Sequence, residues 1–371
     1  MGETIISTRN AVLHLLYKVF LKPVFFLSDP EKVHDRMVSF GKMLGSVAVG
    51  RTTLSGLFSY ANPVLEQDIL GIHFKNPIGL AAGFDKNADL IEVLPSVGFG
   101  FMEVGSITGK ACAGNPKPRL WRLKKSKGLV VWYGLKNDGC EILSEKIKSV
   151  RHGIPVGTSV AMTNCKDNLK TRHAIEDYSK AFRTLSEIGA YTTINVSCPN
   201  TDGGQPFMAP YNLDYLLDLI DTIPTKKPIF VKISPDMSHA QIDEMLQILK
   251  KHRVSGIIAS NLTKKRENEK IAEELPAVGG VSGKPVQDLS DALIEYIYKK
   301  EGKRFVIVGC GGVFTAADAY EKIRKGASLI QMITGMIFEG PQVVSEINRG
   351  LAALLKRDGF ASVANAVGSG V

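Results

Sequence analysis

Hydrophobic and polar positions follow two rhythms along this chain. From about Pro77 onward, short apolar runs recur and are separated by stretches with helical spacing. The runs are PIGLAAG (77–83), FGFMEVGS (99–106), PVGTSVA (155–161), YTTINVS (191–197), PIFVKIS (228–234), SGIIAS (255–260), RFVIVGC (304–310) and SLIQMIT (328–334). Most carry β-branched residues, the pattern of parallel strands buried on both faces. Between them, DYSKAFRTLSEIG, LDYLLDLIDTI, SHAQIDEMLQILKKH and AADAYEKIRKG repeat apolar residues at the helical period. Ser238 and Gln241 form a capping box for the third of these. Strands alternating with helices in this number predict an α/β fold, a (β/α)8 TIM barrel with a small N-terminal helical extension. A doubly wound open sheet is the alternative.

The N-terminal pattern differs. AVLHLLYKVFLKPVFFL (11–27) is the most apolar part of the chain, but His14, Lys18, Lys22 and Pro23 interrupt it. It reads as a poor transmembrane helix and a poor signal peptide. Leu13, Leu16, Val19 and Phe20 share one helical face. In SDPEKVHDRMVSFGKMLG, Ser28 or Asp29 caps a second helix, with Pro30 in its first turn. Two short helices with apolar faces and lysines suit a membrane surface; packing on their own domain is the other reading. The expected organisation is a helical segment at 1–45 and a catalytic barrel at 46–371.

Composition narrows the partners. The net charge is +9, yet no basic stripe with interleaved aromatics points to nucleic acid. RLKKSK (122–127) and TKKRENEK (263–270) read as exposed loops. Five widely spaced cysteines imply a reduced compartment, and scattered histidines give no metal-binding pattern.

Barrel enzymes work at the C-terminal ends of their strands. Those ends here offer Ala81, Ala82, Gly105, Ser106, Asn195, Cys198, Lys232, Ser260, Asn261, Gly311, Gly312 and Thr334. Glycine turns at VGCGGVF, ITGMIFEGP and GGVSGKP (with Ser282 and Gly283) have backbone N–H groups for a phosphate. Ala81 and Ala82 leave room for a flat ring. A lysine ending an apolar strand, Lys232, is costly unless it meets an anion or a polar ring edge. FMN offers all three features. In INVSCPNTDGG, Cys198 sits between Asn195 and Asn200 at a strand end, where it is either a buried thiol or a base.

NPIGLAAGFDKNADL, GFMEVGSITGKACAGNPKPRLWRL, INVSCPNT, VKISPDMS, GGVSGKPVQDLS and VGCGGVFTAADAYEKIRKGASLIQ together resemble the dihydroorotate dehydrogenase family, in the family's order, from about Ser28 to Gly359. The leading SDPEKVHD helix is similar to that of the membrane-associated, quinone-reducing class. The resemblance implies FMN over the strand ends and oxidation of dihydroorotate to orotate in pyrimidine synthesis. A base takes the C5 proton and a hydride passes from C6 to the flavin. It also implies FMN contacts from Ala81, Ala82, Gly105, Ser106, Asn195, Lys232, Ser260, Ser282, Gly283, Gly311, Gly312 and Thr334. Lys86, Asn195, Asn200 and Asn261 are implied for the substrate, Cys198 as base, and Arg122 beside a quinone tunnel. The implied location is peripheral, on the cytoplasmic side of a membrane, a bacterial inner membrane before a mitochondrial one.

The chain departs from that family at telling places. Cys198 stands where the quinone class has serine, and a thiol of ordinary pKa, about 8.5, is the better base near neutral pH. This also leaves fumarate or a soluble carrier open as electron acceptor. Val131 replaces a substrate asparagine, Leu262 a substrate threonine, Ser159 an asparagine of the FMN site, Met162 a lysine and Ile333 a tyrosine. Losing one amide partner costs about 1–3 kcal/mol, unless Asn137 or Trp132 compensates. Another dihydropyrimidine as substrate, and a non-catalytic FMN-binding membrane protein, are the competing readings.

Overall fold

The computed structural model describes residues 2–371. All eight apolar runs are strands: β1 (Ile78–Leu80), β2 (Phe101–Ile107), β3 (Val156–Val160), β4 (Tyr191–Asn195), β5 (Ile229–Ile233), β6 (Val254–Ala259), β7 (Val306–Cys310) and β8 (Leu329–Met332). They pair in parallel, in chain order, and close with β8 on β1, so the barrel is formed and the open sheet is not.

The barrel floor is filled by large rings fitted against glycines. A Cβ on Gly79 would lie 2.4 Å from the Phe101 ring, one on Gly157 2.3 Å from Tyr191, and one on Gly256 2.3 Å from Phe230. Each glycine sits on the strand next to its aromatic partner. The missing side chain therefore makes the space that its neighbour fills. A hairpin of Gln67–Ile69 and Ile72–Phe74 closes the floor from below, with Phe74 edge-on to Phe101 at 5.4 Å. Leu70 and Gly71 both take positive φ, as a tight two-residue hairpin turn requires.

A three-stranded antiparallel sheet of Leu120–Leu123, Gly128–Val131 and Gly280–Gly283 stands at the barrel mouth. The RLKKSK segment is thus a strand end followed by a tight connection, not simply a loop. Its third strand comes from far along the chain, where no local pattern could reveal the pairing.

The N-terminal segment forms one continuous helix, α1 (Glu3–Leu27), rather than a short one broken by Pro23; a π turn at Tyr17–Leu21 takes up the proline. Helix α2 (Pro30–Ser46) follows, capped by Asp29, and then α3 (Ala48–Phe58) leads to the barrel. Helix α1 is amphipathic the wrong way round. Its inward side is polar: Arg9 and Asn10 donate to Ser345 Oγ at 2.8 and 3.1 Å, Tyr17 donates to the Ile337 carbonyl at 2.7 Å, and Lys18 pairs with Glu339. Its outward side shows Leu15, Val19, Phe20, Val24 and Leu27, all more than half exposed. Met43 of α2 and Val49 of α3 are exposed as well.

Helix α2 is anchored by charge. Glu31 lies almost wholly buried against Arg119, with Nη2–Oε1 at 2.8 Å and Nε–Oε2 at 3.1 Å, and Lys117 adds a third contact at 3.3 Å. Burial pushes Glu31 up, but the hydrogen bonds from Arg119 and Lys117 outweigh it and hold the carboxylate below its usual range. A depressed carboxylate stabilises the fold above its unfolded pKa and loses that contribution as pH falls through the folded value. Arg119→Met leaves Glu31 buried with only an exposed lysine beside it. It is expected to cost about 3 kcal/mol in urea unfolding near neutral pH, and less in acid, where Glu31 is protonated.

Candidate active site

The strand ends, the antiparallel sheet and α2 enclose one large cavity, with about 1280 Å³ of free space including its mouth. Every residue expected at the site lines it except Arg122. No carboxylate lines it, whereas Lys86, Lys136 and Lys232 do. The lining is therefore built for an anion.

Its floor is a chain of hydrogen bonds across four strands. Ser159 and Ser106 share a bond at 2.8 Å, Asn195 Nδ2 donates to Ser106 Oγ at 2.8 Å, and Asn261 Nδ2 donates to Asn195 Oδ1 at 3.2 Å. Asn261 also donates to Ser197 Oγ, which itself donates to the Lys232 carbonyl at 2.8 Å. Ser159 is fully buried and acts through Ser106 instead of reaching the cavity. The amides are thus fixed in orientation before any ligand arrives.

At one end the glycine turns gather. Ser282 and Thr334 hydroxyls meet at 2.9 Å, and Gly283, Gly311, Gly312 and Gly335 lie beside them. Among the described residues, the backbone N–H groups of Gly311, Gly312, Val313, Thr334 and Gly335 find no protein acceptor. At the start of the following helix, Ala316–Arg324, Thr315 and Asp318 cap each other's N–H groups reciprocally. A phosphate here would be held by the loops themselves. A flat ring fits next to it, against Ala81, Ala82 and Gly105, with Lys232 in reach. These residues fit FMN.

At the other end stand Cys198, Asn200, Asn261 and Lys86. Asn200 is buried, its carbonyl fixed by Asn115 Nδ2 at 2.9 Å, and its Oδ1 has no partner. A buried acceptor without a donor calls for an N–H from a ligand. Lys86 stands over the Tyr133 ring at 3.9 Å. Burial brings it down to about 8, and Lys136 adds to the effect, so it stays mostly charged at neutral pH. Asp85 accepts from the Asp89 and Leu90 amides at 2.8 and 2.9 Å and fixes the loop that carries Lys86.

Cys198 faces the cavity, with Tyr178, Phe207 and Met162 behind it around a second, much smaller cavity. Burial pushes its thiol up to about 11, although the Asn200 amide and Lys264 pull the other way. The thiol thus lies above the ordinary value, because burial penalises its ionised form.

Several residues fall elsewhere than expected. Arg122 lies outside the cavity, stacked on Phe26 at 4.7 Å and donating to the Ser28 carbonyl at 2.7 Å, where α1 turns into α2. Asn137 spends its side chain on Thr108, Leu135 and Gly139, and neither it nor Trp132 lines the cavity, so neither replaces the lost amide. Val131 and Leu262 put apolar groups in the wall. His34, Tyr133 and Lys136 line the cavity unforeseen. Burial brings His34 down to about 4, which keeps it neutral, with Nε2 2.9 Å from the Phe84 carbonyl. Only YGLKNDG, next to the Val131 departure, signalled that stretch.

The cavity also has an apolar wall of Leu120, Leu129, Val131, Ile333 and Ile337. It is continuous with a cluster in which Phe26 of α1 meets Phe338 edge-on at 5.3 Å. The site thus reaches from the strand ends to the underside of α1.

A family model described as dihydroorotate dehydrogenase matches residues 64–355. A dihydroorotate dehydrogenase (quinone) of Christiangramia forsetii is 37% identical over 90% of this chain and 98% of that protein. One of the same name from Natronomonas pharaonis is 37% identical over 95% of this chain and 99% of its own length. A solved structure of DHODH from Eimeria tenella in complex with ferulenol superposes with a TM-score of 0.81 at 27% identity, covering 92% of this chain and 95% of that one. The ligand-free form from the same organism gives 0.82 at 28%. With a closed eight-stranded barrel, an anion-binding cavity at its strand ends and these relatives, the chain belongs to the dihydroorotate dehydrogenase family.

Proposed function

We propose that this chain oxidises dihydroorotate to orotate in pyrimidine synthesis, as an FMN-dependent enzyme that passes the electrons to a quinone at a membrane surface. The observation that carries it is the two-ended cavity, with free backbone donors at one end and an unpartnered amide acceptor beside a thiol at the other. FMN, when bound, supplies the hydride acceptor. Ser282, Gly283, Gly311, Gly312 and Thr334 hold its phosphate. Ala81, Ala82, Gly105, Ser106, Asn195, Lys232 and Ser260 hold its ring and ribityl side.

Orotate is a planar anion with ring imide groups, and dihydroorotate carries the same carboxylate and ring imide groups on a ring still saturated at C5 and C6. Asn195, Asn200 and Asn261 match those groups as donors and acceptors, and Lys86 neutralises the carboxylate. Cys198 takes the C5 proton. Its base form predominates only above its pKa, so the raised value moves the useful pH range upward. The rate of flavin reduction by dihydroorotate is expected to climb with pH through the alkaline range, toward about 11. Cys198→Ala should lower that rate by about 10²–10⁴-fold and flatten its pH profile. A profile unchanged by the substitution rules out Cys198 as the base.

The quinone reading rests on the apolar wall that leads to α1 and on the outward apolar face of α1. Such a face lies in a lipid interface at lower free energy than in water. The reading places the protein peripherally on the cytoplasmic side of a bacterial inner membrane, with Arg122 and Phe26 at the quinone's entry. Val19→Glu with Phe20→Glu should abolish sedimentation with lipid vesicles and slow reoxidation by a long-chain quinone. Anaerobic reduction by dihydroorotate should be unaffected. Reoxidation by fumarate instead of quinone would sink the acceptor assignment.

Val131 and Leu262 favour a second reading, a dihydropyrimidine with fewer polar ring contacts, such as dihydrouracil. Turnover of dihydrouracil without turnover of dihydroorotate would select it.

A further inference from the structure

Below the cavity floor, the barrel interior holds a polar layer that the proposed reaction does not use. Glu103 on β2 points inward and is fully buried. Its Oε1 accepts from Thr193 Oγ1 on β4. Glu103 and Thr193 each stand two residues beyond a floor ring on the same strand, Phe101 and Tyr191, so both face inward one layer above the floor. Gln331 of β8 comes in from the other side, over Gly79 of β1. Yet Glu103 Oε2, the Tyr191 hydroxyl and both polar atoms of the Gln331 side chain lack a well-formed hydrogen bond.

A buried carboxylate with half its hydrogen-bonding capacity unused is costly unless a charge compensates it. Lys232 supplies the charge. It pairs in register with Asn195, is 5% exposed, and lines the cavity directly. Burial pushes Glu103 up, and Lys232 is the largest influence pulling it back. Lys232 stands two residues beyond the floor ring Phe230 on its strand, so it rises from the same inward layer as Glu103 to the cavity that it lines.

We propose that Glu103 is a positioning residue for Lys232: a buried counter-charge that holds the ammonium at the cavity floor and sets how strongly its positive field acts on the ring edge of a bound flavin. The proposal rests on the FMN reading above. An ammonium beside the ring favours the reduced, more negative flavin. A carboxylate behind it, in a dry interior where fields carry further, weakens that preference. Glu103 thereby keeps the flavin reducing enough to hand its electrons on.

The test is the midpoint potential of the FMN-loaded protein, measured by dye equilibration. Glu103→Gln keeps the shape and removes the charge. It should raise the affinity for reduced over oxidised flavin about tenfold, a rise of about 30 mV for the two-electron couple. Thr193→Val removes the hydroxyl that favours the ionised carboxylate, and should move the potential the same way by less. It carries the test if Glu103→Gln does not fold. A purely structural role would lower the melting temperature and weaken both flavin states equally, leaving the potential where it was, and that result overturns the proposal. So does a fall in potential. Flavin bound with an unmoved potential leaves the FMN reading intact; a wild-type chain that takes up no flavin removes that reading and this proposal with it.

Discussion

A closed parallel barrel has to fill itself with its own side chains, and that constraint governs this molecule from the floor upward. Phe101, Tyr191 and Phe230 fill the floor because Gly79, Gly157 and Gly256 yield their space to them. With the floor sealed, the next layer can be polar without meeting water. Glu103, Thr193, Gln331 and Lys232 occupy it. Above them the strand ends open into the cavity. Each level depends on the one below: a leaking floor would hydrate the charges, and hydrated charges would act weakly on whatever binds above.

The cavity divides its chemistry by position. The loops after β7 and β8 contribute unpaired backbone donors, which suit an anion whatever side chains surround them. The ends of β4, β5 and β6 contribute a lysine, a thiol and two amides, Asn195 and Asn261, that are hydrogen-bonded to each other. The antiparallel sheet and α2 contribute an apolar wall and a neutral histidine. Polar and apolar halves therefore face one enclosed space, and a reaction that couples a water-soluble acid to a lipophilic acceptor needs that combination.

Much of this was legible in the sequence because it is encoded locally. Strands buried on both faces announce themselves as apolar runs, and their last residues are then the site by geometry alone. Features made by distant partners were not legible. Gly280–Gly283 pairs with Gly128–Val131 across the mouth, and nothing in either segment names the other. Glu103 is one polar residue in an apolar run, and its partner Thr193 lies on another strand far along the chain. Nothing around Arg122 names its contacts with Phe26 and Ser28, which come from a segment far earlier in the chain. The thiol's identity was visible, but the dryness that raises its pKa belongs to the folded loop. Leu13, Leu16, Val19 and Phe20 announced a helical face without saying that Asn10 and Tyr17 would take the inside.

The inverted helix α1 makes the protein a surfactant with a folded head. Polar contacts to the C-terminal helix (Val343–Arg357) and its approach hold it in place, while its oily side is left to the surroundings. In water alone, that side can be satisfied only by another such side. On the membrane reading proposed above, activity follows the interface available to the protein, and two preparations of equal purity differ in behaviour with nothing changed in the barrel.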